Sequence, residues 1–159
     1  MRQETQMGRW SREELEDEFD KYQARALKAA TTHDWREWAD QFTEDATYIE
    51  HHFGRFGGRE AIYNWIQSTM DAWPNNEMIY FPIDWYVIDE EKGWIVCRVL
   101  NRFADPGDGS IHEEGNFTLL KYAGNGKWRY EEDIYNPNTF ATMVENYLNH
   151  KKSLAGDDG

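Results

Sequence analysis

The sequence predicts an α+β fold whose helices gather on one face of an antiparallel sheet. Apolar residues recur at helical spacing in three stretches of the first half, with one strand-like segment between them, and from Met78 onward long stretches alternate with period two. Short turn clusters at 89–93 (DEEKG), 105–109 (DPGDG) and 124–126 (GNG) separate those stretches, so three hairpins in series make a four-stranded meander. Helices that precede and follow such a meander cover one side of it.

Ser11, followed three residues later by Glu14, forms a capping-box pattern, and Leu15, Phe19, Tyr22 and Ala26 then share one side of a first helix ending near His33. Asp34 can cap a second, short helix, with Glu37 placed to return the bond and Trp35, Trp38, Ala39 and Phe42 as its buried side. Residues 46–52 read as a strand and the glycine-rich 54–58 as a bend. Ile62, Trp65, Ile66, Thr69 and Trp73 form the stripe of a third helix, which Pro74 cannot continue. A last, short helix follows Pro137, with Phe140, Met143 or Val144, and Tyr147 on one face. The organisation is one domain over 11–150 between disordered tails at 1–10 and 151–159.

Of 159 residues only 28 are Ile, Leu, Val or Phe, and the net charge is −13, a combination that by itself suggests disorder. The 25 aromatic residues reverse that reading, because they carry the apolar mass that the aliphatics lack. An acidic excess spread along the chain repels phosphate backbones and anionic headgroups, so neither nucleic acid nor a membrane is expected as a partner. Cys97, the single cysteine, excludes an internal disulfide and a cysteine-clustered zinc site. The histidines show no ligand spacing, so no metal and no cofactor is expected. MRQETQMGRW lacks the apolar centre of a signal peptide, and a cytoplasmic location is expected.

Symmetric hairpins would pair Ile88 with Trp94, Ala104 with Ser110, and Ala123 with Lys127, and side-chain alternation can then be carried across the sheet. One face so obtained holds Ile83, Trp85 and Val87; Ile95, Cys97, Val99, Asn101 and Phe103; Glu113, Gly115, Phe117 and Leu119; and Arg129, Glu131, Asp133 and Tyr135. This is the apolar face, and its polar members need a reason. Glu113 and Glu131 could sit in water at strand ends, and Asn101 could satisfy main-chain groups. Asp133 lies further into its strand, where burial among rings raises a carboxyl pKa into the range useful for proton transfer. The other face sets Asp84 opposite Arg98, Leu100 opposite Glu114 and Arg102 opposite His112. Tyr80, Tyr86, Trp94, Tyr122, Trp128 and Tyr130 lie among them, a mixture that predicts a homodimer through this outer face.

Two runs, HDWREWADQFTEDATYIEHHFGRFGGREAIYNWI and EEGNFTLLKYAGNGKWRYEEDIYN, make the chain resemble the SnoaL-like polyketide cyclases of the nuclear-transport-factor-2-like superfamily over 11–148. The resemblance implies a cone-shaped, strongly curved antiparallel sheet, with three N-terminal helices on its concave face and a short C-terminal helix around an apolar pocket. It also implies a dimer. It places Glu50 where ketosteroid isomerases keep their carboxylate base, and alternation brings Tyr48 and His52 to the same side. The isomerase oxyanion tyrosine falls on Ala26, one turn from Tyr22. Asp133 matches the acidic position of these cyclases and of limonene-type epoxide hydrolases, whose Arg-x-Asp segment is broken here by Ala104 after Arg102.

Glu50, His52 and Asp133 are therefore the candidate catalytic groups, and Tyr22, Tyr48, Trp85, Asn101, Glu113, Phe117 and Tyr135 the candidate substrate contacts. The expected function is cofactor-independent acid/base catalysis on a small hydrophobic cyclic carbonyl compound of polyketide, steroid or terpenoid type, by isomerisation, dehydration or aldol cyclisation. Asn101 or Tyr48 would donate to the developing enolate oxygen. A non-catalytic hydrophobic-ligand-binding or dimerisation module is the alternative, and epoxide hydrolysis a further one. No GxSxG, GxxxxGKS or GxGxxG pattern occurs.

Overall fold

Ser11 starts the first helix as its spacing predicts: its Oγ accepts the amide of Glu14 at 3.0 Å, and α1 (Arg12–Thr32) runs until His33 turns left-handed at φ 61°. The structure is a computed structural model that describes residues 8–156; the remainder of both expected tails lies outside the described residues. Within them, Trp10 docks edge-on against Tyr122, centroids 5.1 Å apart. Its indole fills the space above two turn glycines with positive φ, and a Cβ on Gly93 would lie 2.5 Å from the ring. Residues 8–10 thus pack on the sheet, and the last helix, α4 (Pro137–Gly156), continues through most of the other expected tail. α4 is 20 residues long rather than short, and Tyr147 stacks on Phe103 at 4.1 Å while Met143 is buried beside it.

Between these helices come α2 (Arg36–Asp40), β1 (Phe42–Glu50), β2 (Gly54–Gly57) and α3 (Arg59–Asp71), then β3 (Met78–Tyr80), β4 (Ile83–Asp89), β5 (Trp94–Phe103), β6 (Glu113–Gly124) and β7 (Lys127–Ile134). The sheet order is β2-β1-β7-β6-β5-β3, with β4 also on β5. All pairs are antiparallel except β1 with β7, so the curved, unclosed sheet is mixed. Over the described residues the fold is α+β, four helices with one large sheet. No described helix is long and apolar enough to cross a membrane.

The glycine-rich bend is itself β2, paired with β1 so that Glu50 faces Gly54. His51, His52 and Phe53 therefore form the hairpin tip, and β1 ends before His52. On β5 the expected inner face holds, with Ile95, Cys97, Val99 and Phe103 buried. The 104–112 loop, however, closes one residue out of the symmetric register, pairing Arg102 with Glu113. A one-residue slip reverses every side chain of β6. Asn116, Thr118, Leu120 and Tyr122 point inward, and Glu113, Gly115, Phe117 and Leu119 outward.

Two bulges turn further side chains away from strict alternation. On β4, Ile83 pairs with Val99 but Trp85 with Arg98, so Asp84 is the extra residue and Trp85 and Val87 turn outward. On β7, Tyr130 pairs with Lys121 and Trp128 with Tyr122, making Arg129 the extra residue. Arg129 is exposed, whereas Trp128, expected at an interface, is fully buried between Tyr122 and Tyr22. Past the bulge Glu131 and Asp133 keep the inward face. The outer ion pairs shift with the register: Asp84 still takes Arg98, at 2.9 Å, but Arg102 pairs with Glu113 at 2.7 Å rather than facing His112. Tyr86, expected outside, packs on Phe19 of α1 at 5.3 Å.

Candidate functional site

A cavity of about 370 Å³ lies between the inner face of the sheet and all four helices, within the range of small-molecule sites. Trp35, Trp38, Trp65, Phe81 and Phe140 give it aromatic walls, and Ile66, Met70, Val99 and Val144 fill the spaces between them. Polar groups enter on the strands. Because β1 and β7 run parallel in register, Tyr48 lies beside Glu131 and Glu50 beside Asp133, while Thr118 of β6 pairs with Asp133 from the other side.

These groups form one hydrogen-bonded chain. Asn101 Nδ2 donates to Asn116 Oδ1 (2.7 Å), Asn116 Nδ2 to Thr118 Oγ1 (2.8 Å), and Thr118 Oγ1 to Asp133 Oδ1 (2.6 Å). Tyr22 Oη donates to Glu131 Oε1 at 2.7 Å. Tyr48 Oη stands between the two carboxyls, 2.6 Å from Glu131 Oε2 and in contact with Asp133 Oδ2. A phenol has one proton to donate, so the second of these contacts requires a proton on a carboxyl.

The electrostatics assign that proton. Burial, then the neighbouring Asp133 charge, holds Glu131 well above the ordinary carboxylate range. Burial also raises Asp133, but the hydrogen bonds from Glu131, Thr118 and Tyr48 oppose it. Both carboxyls are pushed upward, Glu131 with less to oppose it, so the pair shares a proton held toward Glu131, an acid and a base two residues apart on one strand. Burial and the carboxyl charges push Tyr22 and Tyr48 well above the usual phenol value, so both stay protonated donors. Glu50, buried at the edge of this group, accepts from Tyr135 Oη at 2.9 Å and from the His52 amide at 2.6 Å.

Of the candidate residues, the structure brings Glu50, Asp133, Tyr22, Tyr48, Asn101 and Tyr135 together around the cavity. His52 also lines it, but as an exposed tip residue whose amide, rather than its imidazole, bonds Glu50. Trp85, Glu113 and Phe117 are on the outer face, for the register reasons given above, and do not reach the cavity. Neither expected enolate donor is free: Asn101 Nδ2 bonds Asn116 and the Glu114 carbonyl, and the Tyr48 hydroxyl bonds the carboxyl pair. Glu131, Thr118 and Asn116 are the polar wall that the sequence alone leaves out; the Trp65 indole N–H is buried without a partner and has no surface open to the cavity. Among the described residues no group of three or more His, Cys, Asp or Glu side chains is arranged to hold a metal ion.

A family model described as a SnoaL-like domain matches residues 24–129, ending two residues before Glu131. No curated protein matches the chain. Among solved structures, a protein of Jannaschia sp. CCS1 described as a SnoaL-like polyketide cyclase superposes with a TM-score of 0.59 at 12% identity, covering 91% of this chain and 97% of that one. A protein of Xanthomonas campestris pv. campestris described as a polyketide cyclase gives 0.60 at 15% identity, over 84% and 98%. A de novo designed protein with a curved β-sheet gives 0.59 at 14% identity, over 88% and 98%. At such identities the likeness is one of fold, and chemistry has to be argued from the cavity.

Proposed function

Because the chain belongs to the SnoaL-like domain family, we propose that it is a cofactor-independent acid/base catalyst acting on a small, largely apolar cyclic carbonyl compound. The observation that carries this reading is the Glu131–Asp133 pair, with Glu50 beside it, at the wall of an otherwise aromatic cavity. A buried carboxylate next to a buried carboxylic acid is costly to fold around, and such pairs supply proton transfer at neutral pH.

In the proposed reaction Asp133 takes a proton from the carbon next to the carbonyl, and the C–H electron pair moves into an enolate. Returning the proton at another carbon gives isomerisation; expelling a hydroxide gives dehydration; attack on a second carbonyl gives aldol closure. Glu50, oriented by Tyr135 and the His52 amide, serves as the second proton carrier. His52 acts through its main chain.

The test is exchange of α-protons in D2O, followed by NMR over a panel of cyclic ketones. Exchange well above the buffer rate is expected for at least one ketone, and Glu50→Gln should slow it. If no ketone exchanges faster than in buffer, or if both Glu50→Gln and Asp133→Asn exchange at the parental rate, the reading is wrong.

The outer face supports a second proposal, that two copies pair through it. Trp85, Arg98, Phe117 and Ile134 are successive register partners across β4, β5, β6 and β7, forming a row in which Phe117 and Ile134 are about half exposed. Exposed rings beside the Arg98–Asp84 pair make a surface that can match its own two-fold copy. Sedimentation should show a dimer at tens of micromolar (~10–50 μM, a usual range for weak homodimers), and Phe117→Glu a folded monomer. A monomeric parent would exclude it.

A further inference from the structure

The charge in the cavity is one-sided. Glu50, Glu131 and Asp133 line it, and among the described residues no lysine or arginine does. Other carboxyls of the sheet find cationic partners, as in Arg98–Asp84 and Arg102–Glu113, but among the described residues none of the three cavity carboxyls does, and these three are out of water. Each is held by neutral donors alone: Tyr22, Tyr48 and Thr118 on the inner pair, Tyr135 and main-chain amides on Glu50. One proton on Glu131 removes only part of the negative charge. The rest has no counter-ion, in a compartment where low dielectric makes charge interactions strong.

The walls around that charge are rings set at steep angles to one another. Trp35 and Trp38 meet at 78°, Trp35 and Phe81 at 75°, and Trp65 tilts 54° from Tyr48 at a centroid distance of 4.9 Å. Ring faces carry negative potential, and rings turned to different directions present both faces and edges around one centre. Carboxylates without a counter-ion, aromatic faces and the absence of any competing cation all favour the same ligand charge.

We infer that the cavity takes a compact organic cation, a protonated or quaternary amine on an apolar body, with its ammonium group against Asp133 and its alkyl groups against Trp35, Trp38 and Trp65. The inference deepens the proposed function and rests on that reading only in treating this cavity as the substrate site: the carbonyl compound it processes carries an amine. An anionic substrate, whether carboxylate, sulfonate or phosphate ester, is repelled by the same groups.

The experiment compares three probes of matched shape on the full-length protein: phenyltrimethylammonium, its uncharged isostere tert-butylbenzene, and the anion benzenesulfonate. Binding is read from quenching of tryptophan fluorescence and by calorimetry. The ammonium probe should bind at least about tenfold tighter than the isostere, the scale of a desolvated cation–π contact, and the sulfonate should not bind. Asp133→Asn should reduce the preference of the ammonium over the isostere. Equal or tighter binding of tert-butylbenzene by the parent protein overturns the inference, whether or not the variant folds. No turnover enters this measurement. A ketone that exchanges with no cation preference overturns this inference alone, and a cation preference with no exchange overturns the catalytic reading alone.

Discussion

Asp133→Asn is expected to slow α-proton exchange by about 10²- to 10⁴-fold, the usual contribution of one positioned general base, without unfolding the protein. Asparagine keeps the shape and the Oδ1 acceptor, so the Thr118 hydroxyl at 2.6 Å still has its partner. Its amide can donate to Tyr48 Oη, which frees the phenol proton for Glu131 Oε2 at 2.6 Å. With Glu131 then ionised and held by the Tyr22 and Tyr48 hydroxyls, no buried donor or acceptor is orphaned, and circular dichroism and thermal melting should report a native fold. What is lost is the lone pair that accepts the substrate proton. The substitution also removes the neighbouring charge that helps hold Glu131 above its ordinary range, so Glu131 ionises at lower pH than in the parent. Residual exchange in the variant should therefore follow the titration of Glu131, with the acidic limb of the rate profile displaced from that of the parent. Exchange rates measured by NMR across pH 5 to 9 (~4 units, wide enough to span a shifted carboxyl) check both points, and a parental rate at every pH would exclude Asp133 as the base.

The same neighbourhood shows which parts of the site the sequence could carry. Helical spacing and the Ser11 cap identified α1 and so placed Tyr22, and alternation within β1 placed Tyr48 and Glu50 on one side. Those inferences are local, and they survive because no bulge intervenes between the signal and the residue. Thr118 and Asn116 required the loop register at 104–112, where Gly107 and Gly109 adopt positive φ and the chain closes on Arg102–Glu113 rather than symmetrically. One residue of slip moved the polar wall of the cavity to the wrong face and put Glu113 and Phe117 in its place. Trp85 was misplaced by a smaller event, the extra residue Asp84. Glu131 was legible in principle: it lies two residues from Asp133 on one strand, so whatever buries one buries the other. A strand end in water, one of the two readings the sequence leaves open for Glu131, misses that pairing and with it the acid of the pair.

Aromatic residues are what allow so acidic a chain to enclose a cavity. Tyr22, Tyr122 and Trp128 pack α1 onto the sheet at 5.0 to 6.3 Å between centroids, Trp38 meets Phe42 at 5.0 Å, and Phe103 stacks on Tyr147 under α4. Each such pair adds about 0.5–1.5 kcal/mol beyond area burial. Rigid rings also span gaps that collapsing aliphatic side chains would fill, so the ring-rich composition that resembled disorder supports the hollow centre.

Glu131→Gln is expected to stabilise the fold at pH 8 while impairing proton transfer. Glutamine can still accept from Tyr22 and donate to Asp133, but it carries no ionisable group to be held out of water beside another carboxylate. The sign follows from linkage. Glu131 has a folded pKa raised above its unfolded value, so below the unfolded value both states hold the proton and the group imposes no penalty. As pH rises from there to the folded value, the unfolded chain releases its proton first and the native state loses stability relative to it; above the folded value the loss is complete. Asp133, also raised by burial, adds a loss of the same sign. The parent should therefore be less stable relative to the variant at pH 8 than at pH 4, with a gain on substitution of about 0.5–2 kcal/mol at pH 8, or about 1–8 °C in Tm for a domain of this size. Urea unfolding of both proteins at the two pH values isolates the effect, because surface groups titrate alike in each and cancel in the difference. A variant less stable than the parent at pH 8, or a difference independent of pH, would mean that Glu131 is ionised and well compensated in the native state, and the acid/base division of the pair would have to be reversed.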